Sequence, residues 1–498
     1  MRRLIPLLTA LLAACATPRP ATFTPREATI TPREATFTPR EAMITPREAM
    51  ITRPNIVLIF ADDLGYGELG CYGQAKIATP HIDRLAREGA RFTQFYTAAP
   101  VCAPARAALM TGLHLGHCPI RDNSEVQPEG QGPLPAEATT LAEDLKDAGY
   151  ATACIGKWGL GFVGSSGDPN RNGFDLFFGY NCQRQAHNFY PTHLWRNGLK
   201  VALEGNDPKT RTESIFAPDL MVAEARSFIA GAKDGPFFLA YTSTLPHMAM
   251  QPKSSDLAPY AGKFDETPYV GGKGYLPHPT PRAGYAAMIS RLDAEVGALR
   301  AELEKHGLAQ NTLIIVTSDN GPTHDVGGVD TAFFDSTAGL RGRKGSVWEG
   351  GIRTPCVAWW PGKISAGSTV DTPAWTVDLR TTFASLAGAE ASLTDGADLS
   401  PLLLRGEKPP ARAFYWPFPG YGCQEAVREG DWKIVRTGMA QRKRGWTDDE
   451  GWKLFDLARD PNESTDVAAQ HPEVVGRLAA IATRELTPSE AFPLWRAD

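Results

Sequence analysis

The eight cysteines include no CxxC pair, so zinc ribbons and similar thiolate clusters are excluded. A dominant basic surface is also missing. Fifty-one Lys and Arg face 56 Asp and Glu, and a net charge of -5 argues against nucleic acid as a partner. The apolar run 4–14 is too short to span a bilayer, and no later segment offers an uninterrupted run that could. An exported location permits disulfides but leaves their pairing open.

What is there begins with a targeting segment. Met1-Arg2-Arg3 precedes the short apolar run LIPLLTALLAA, and Leu12-Ala13-Ala14-Cys15 resembles the lipobox of bacterial lipoproteins. That resemblance implies cleavage before Cys15 and lipidation of its thiol, with residues 1–15 as signal peptide. Residues 21–52 then repeat a seven-residue unit, ATFTPRE and its variants. A proline in each complete unit forbids a coiled coil, so residues 16–53 read as an extended tether. The expected location is the bacterial cell envelope, anchored through lipid and facing the periplasm or outside. A start at Met43 or Met50 would remove the signal and place the protein in the cytoplasm.

The remainder, with 48 glycines and 40 prolines, reads as a loop-rich α/β enzyme. "NIVLIFADD" (55–63) and "TLIIVTSDN" (312–320) are buried strands that stop at paired polar residues. Similar strands run from Phe237 to Ser243 and from Tyr150 to Ile155, ending near His247 and Lys157. Segments 81–90 and 284–307 carry helical periodicity. The expected fold is a mostly parallel sheet covered on both faces, with ligands gathered at its carboxyl ends. There Asp62, Asp63, Asp319 and Asn320 converge. Three carboxylates in one cleft repel unless a cation sits among them, and hard oxygen ligands suit Ca²⁺ or Mg²⁺ rather than Zn²⁺. A single Asp at such a place would be an ordinary turn residue; two pairs at two strand ends favour the ion.

Cys102-Ala-Pro104-Ala-Arg106, followed by AALMTG, resembles the signature of the type I sulfatases, members of the alkaline-phosphatase-like superfamily. "ADDLGYGELGCYG" (61–73), "GKWGLG" (156–161), "LPHMAMQP" (245–252), "SDNGP" (318–322) and "LRGRKGSVWEGGIRTP" (340–355) follow in that family's order. "REGDWKIV" and "KLFDLARDPNEST" resemble its small C-terminal antiparallel sheet with a helix, giving expected domains of 54–400 and 401–498. The resemblance implies that Cys102 is converted to formylglycine by a formylglycine-generating or anaerobic maturing enzyme. It further implies that Asp62, Asp63, Asp319, Asn320 and the modified Cys102 hold Ca²⁺ or Mg²⁺. Arg106 and Lys157 would orient the hydrated aldehyde, Lys344 would clamp a sulfate oxygen, and His247 would stand near the leaving group. These types fit a sulfate ester, which needs positive charge around its oxygens and a proton for the departing alcohol.

One position departs from the family's usual GKWHLG: Gly159 stands where that pattern has histidine. His114, His117, His187 and His193 are candidates to compensate, with His187 preferred. His187 and His324 are also expected to line the substrate pocket, whereas the aromatic run 414–421 reads as packing. The implied function is hydrolysis of sulfate esters, those of sugars or glycans. The alternatives are a phosphodiester or phosphonate monoester hydrolase with the same aldehyde, and a non-catalytic glycan-binding lipoprotein.

Overall fold

The computed structural model describes residues 53–494, apart from 208–213, 273 and 440–450. The signal segment with Cys15, the heptad tether and both alternative start methionines lie outside the described residues. In chain order the strands are β1 (Asn55–Ala61), β2 (Ala90–Tyr96), a short pair β3 (Glu125–Val126) and β4 (Gly130–Gln131), and β5 (Ala151–Lys157). There follow β6 (Leu176–Tyr180), β7 (His193–Arg196), β8 (Leu199–Ala202), β9 (Phe237–Thr242) and β10 (Thr312–Ser318). The next are β11 (Arg353–Trp359), β12 (Ser368–Val370) and β13 (Ala374–Trp375).

One mixed sheet of eleven strands runs β12-β2-β11-β10-β1-β9-β5-β6-β7-β8, with β13 also on β2. Its centre is parallel: β1 lies between β10 and β9, and β5 and β6 continue in the same direction. β11 and β7 run against their neighbours. All seven residues of β1 and of β10 are buried, as a strand covered on both faces requires. Alternation divides them between two cores. Ile56, Leu58 and Phe60 face one with the Cys102–Thr111 and Asp378–Ala387 helices. Val57, Ile59 and Ala61 face the other with the Pro80–Glu88, Ala217–Gly231 and Pro281–Lys305 helices.

The C-terminal strands β14 (Ala413–Phe418), β15 (Gln424–Glu429), β16 (Trp432–Arg436) and β17 (Lys453–Asp456) form an antiparallel sheet. Tyr415, Val427 and Ile434 pack under the Pro472–Arg484 helix, while Phe414, Trp416 and Phe418 join the main core. The indole of Trp416 donates to Thr97 O at 2.8 Å, so this sheet is welded to the large one. No helix among the described residues is long and apolar enough to cross a membrane.

Candidate active site

The register places Ala61 beside Ser318, so the residues that follow each strand, Asp62 and Asp319, emerge side by side. Asp62 N donates to Leu245 O at 3.1 Å and Asp319 N to Ala61 O at 3.1 Å, which carries the parallel alignment past the strand ends. Asp63 takes a left-handed conformation, φ 66°, one that aspartate tolerates better than most residues. Its N–H donates to Asp319 Oδ1 at 3.1 Å. Lys157 is the last residue of β5, and His247 lies five residues beyond β9.

Cys102 opens a helix buried on all sides, with Pro104 in the first turn and Gly112, φ 66°, closing it. Arg106 stands one turn after Cys102 on the same face. Its Nη1 donates to Lys157 O at 2.7 Å and its Nη2 to Asp319 Oδ2 at 2.9 Å. Lys157 Nζ lies 2.6 Å from Asp62 Oδ2. Lys344 Nζ donates to both oxygens of Asp63, at 2.7 and 2.9 Å, and sits 3.4 Å from Cys102 Sγ. Each carboxylate therefore has its own side-chain cation. The repulsion anticipated from the sequence is met first by Lys157, Arg106 and Lys344.

Burial pushes the Cys102 thiol up to about 12, Asp62 and Asp319 adding to the effect, so it stays protonated and is no thiolate nucleophile. Burial opposes ionisation of Asp62, but Lys157, His247 and Arg106 outweigh it and hold its carboxyl well below the usual range. Asp319 is pushed up to about 7 by burial and by the charge of Asp62. One carboxyl of the trio thus resists ionising, the behaviour of a cluster short of positive charge.

Burial and then Lys344 depress His247; its Nδ1 donates to Met248 O at 2.9 Å, which leaves Nε2 facing Asp63 Oδ2 at 3.5 Å. His187 stacks on His247 with ring centroids 4.1 Å apart and is depressed by burial and by that neighbour. Beside it a cavity of about 180 Å³ is lined by His187, Asn188, Met250, Gln251 and Tyr275.

The other histidines weighed as substitutes are engaged elsewhere. His193 meets Glu129 at 2.9 Å. His117 meets Asp395 at 3.0 Å, and His114 accepts from Gly116 N at 3.0 Å. That last bond puts the proton of neutral His114 on Nε2, toward Asp395 and Glu485, so this cluster is a hydrogen-bonded knot and no ligand set. It lies beyond the far end of a ten-residue helix, about 15 Å from Cys102 along the axis.

His324 reaches the rim, where it stacks on Tyr421 at 5.6 Å. Tyr421, read as packing from the sequence, is 56% exposed and holds a left-handed backbone, φ 49°. Its ring covers Gly345, where a Cβ would come within 2.7 Å of it. Proline and glycine just before it, in "FPGYG", were the signal that Tyr421 leaves the strand.

The Sulfatase family profile matches residues 54–389, and that of the N-sulphoglucosamine sulphohydrolase C-terminal region matches 343–484. The chain belongs to the sulfatase family. Arylsulfatase A of Homo sapiens is 35% identical over 476 residues, covering 85% of this chain and 86% of its own. N-acetylgalactosamine-6-O-sulfatase of Bacteroides thetaiotaomicron is 31% identical, covering 86% and 92%. The crystal structure of Ps i-CgsB in complex with k-i-k-neocarrahexaose aligns with a TM-score of 0.72 at 29% identity, over 87% of this chain and 92% of that one.

This sulfatase is a sulfuric ester hydrolase, of a family that uses a metal ion and formylglycine. The residues present fit the ion. Asp62, Asp63 and Asp319 offer hard oxygens, and the buried Asn320 Oδ1 has no hydrogen-bond partner among the described residues while its Nδ2 donates to Asp63 at 2.8 Å. Those four residues would hold the cation, which would supply Lewis acidity, and a formylglycine at 102 would supply the nucleophilic oxygen as its hydrate. The chain's own residues do the rest. Lys157 and Lys344 put positive charge beside position 102, and Arg106 fixes Asp319 and the end of β5. His247 Nε2, 3.5 Å from Asp63 Oδ2, would be the nitrogen placed to exchange a proton with a leaving-group oxygen.

Proposed function

We propose that this sulfatase removes sulfate from sulfated sugars or glycan fragments, with Ca²⁺ as its ion and formylglycine made from Cys102 by a maturing enzyme. The observation that carries the substrate class is the rim. Exposed Tyr421, stacked on His324, offers an aromatic face of the sort that packs against a sugar ring. The names of relatives such as N-acetylgalactosamine-6-O-sulfatase agree with it. His187, stacked on His247 and beside the 180 Å³ cavity, is the histidine we assign to the proton transfer for which Gly159 offers no side chain. The lipobox and tether support a protein anchored by lipid in the bacterial cell envelope, and Cys15→Ser should release it from the membrane fraction.

The test joins mass spectrometry of the peptide carrying position 102 with turnover of paired sulfate and phosphate esters of one chromophore, and of 6-sulfated N-acetylgalactosamine. The expected result is an aldehyde at 102, faster cleavage of the sulfate ester, and release of sulfate from the sugar. Faster cleavage of the phosphate ester would favour a phosphodiester or phosphonate monoester hydrolase. An aldehyde-bearing protein that binds the sugar without hydrolysing it would be a glycan-binding protein.

A further inference from the structure

Gly159 is the position where the chain departs from the motif around it, and the structure puts another side chain over it. Beyond β5 and β6 the two strands stay aligned: Trp158 N donates to Tyr180 O at 2.9 Å and Gly159 N to Asn181 O at 3.0 Å. Two residues on, Gln183 folds its carboxamide back across the glycine. A Cβ at 159 would lie 2.0 Å from Gln183 Nε2, with Arg106 Cδ at 3.6 Å on the same side. Gly159 has φ 78°, so both its conformation and the carboxamide lying over it suit glycine.

The carboxamide is almost sealed, with Gln183 8% exposed, yet neither Oε1 nor Nε2 has a hydrogen-bond partner among the described residues. Arg106 Nε is unpartnered as well among the described residues, although each of its Nη atoms makes a hydrogen bond. A buried amide without partners costs stability, and an apolar side chain of the same size would avoid that cost. Gln183 Nε2 and Arg106 Nε, two open donors on the side of Gly159 that a Cβ would occupy, mark a place for an oxygen atom.

We propose that Gln183 is a substrate-positioning residue, its amide and Arg106 Nε–H together binding one oxygen of the sulfate group, with Gly159 present to admit the amide. This rests on reading the site as one that binds sulfate. It goes beyond that reading in naming the residue that fills the space a side chain at 159 would take.

The test is calorimetric titration of inorganic sulfate, with the calcium-loaded protein, into wild type, Gln183→Met and Gly159→Ala. Losing a hydrogen bond to a charged group should weaken sulfate about tenfold in Gln183→Met and raise KM for a sulfate ester in parallel. The melting temperature should hold or rise, which a merely structural amide would not allow. Gly159→Ala, whose methyl displaces the amide, should weaken sulfate similarly, but add little once Gln183→Met is present. Equal sulfate affinity in wild type and Gln183→Met, or a fall in melting temperature without loss of affinity, would overturn the assignment. A wild type that binds no sulfate would overturn the reading beneath it too.

Discussion

Asp63→Ala removes the partner of a buried ammonium, and its cost can be worked from the contacts. Asp63 is wholly buried, and its two oxygens hold Lys344 Nζ at 2.7 and 2.9 Å and Asn320 Nδ2 at 2.8 Å. Breaking a buried ion pair from one side costs about 3–5 kcal/mol, because the other charge stays behind without compensation. Lys344 keeps 8% exposure toward the cleft and is able to turn partly outward, which points to the lower end, about 3 kcal/mol. Folded domains have about 5–15 kcal/mol to spare, so the variant folds but should denature well before the parent. The assay is guanidinium unfolding followed by fluorescence, in chelator so that no cation competes for the carboxylates. Asp63→Ala with Lys344→Met deletes the orphaned charge and should recover most of the loss, while activity stays absent in both. Equal unfolding midpoints for parent and Asp63→Ala, or no recovery in the double variant, would refute the pairing.

Stripping the ion should abolish turnover, and Ca²⁺ or Mg²⁺ should restore it better than Zn²⁺, since the donor atoms are hard oxygens; restoration by zinc alone would contradict this. Tyr421→Ala should raise KM for a sulfated sugar about three- to tenfold with little change in kcat, and Tyr421→Trp should preserve it, as steady-state kinetics can check. Glu295, bonded to Tyr241 at 2.8 Å, is pushed up to about 7 by burial. It favours folding fully below its unfolded value of about 4.5, and that contribution is lost as pH rises to about 7. Glu295→Gln should therefore flatten the dependence of melting temperature on pH between 5 and 7.

The carboxyl ends of β1 and β10 were legible because a parallel strand buried on both faces is apolar throughout. Its first charged residues then mark where the chain leaves the sheet. Strand direction was not legible. Alternating helices and strands suggest a parallel sheet, yet β11 enters between β10 and β2 the other way. The β7–β8 hairpin did carry a signal, Asn197-Gly198, with Asn197 at φ 48°. In the run 414–421, apolar character alone does not say which aromatic packs: Trp416 is sealed while Tyr421, three residues beyond β14, is exposed. The individual ion pairs were equally hidden, since Lys157, Arg106 and Lys344 lie 95, 213 and 281 residues from the carboxylates they meet.

Those pairs explain how one site can prefer both a dication and a sulfate ester. Asp62, Asp63 and Asp319 face the three cations Lys157, Lys344 and Arg106, yet Asp319 still resists ionising, and His187 and His247 are held toward neutrality. These cations let the carboxylates survive burial while the protein folds, and Asp319 marks the negative charge they leave unmet. A divalent cation among the oxygens would let Asp319 ionise and would leave the same groups with an excess of two positive charges. The ammonium groups of Lys157 and Lys344 then have less call on the carboxylates and more on an anion beside residue 102. A sulfate ester carries a single negative charge over three oxygens, which suits several separate donors better than one strong partner. Cation and sulfate should therefore strengthen each other's binding, with the two lysines as the groups that change partners between them.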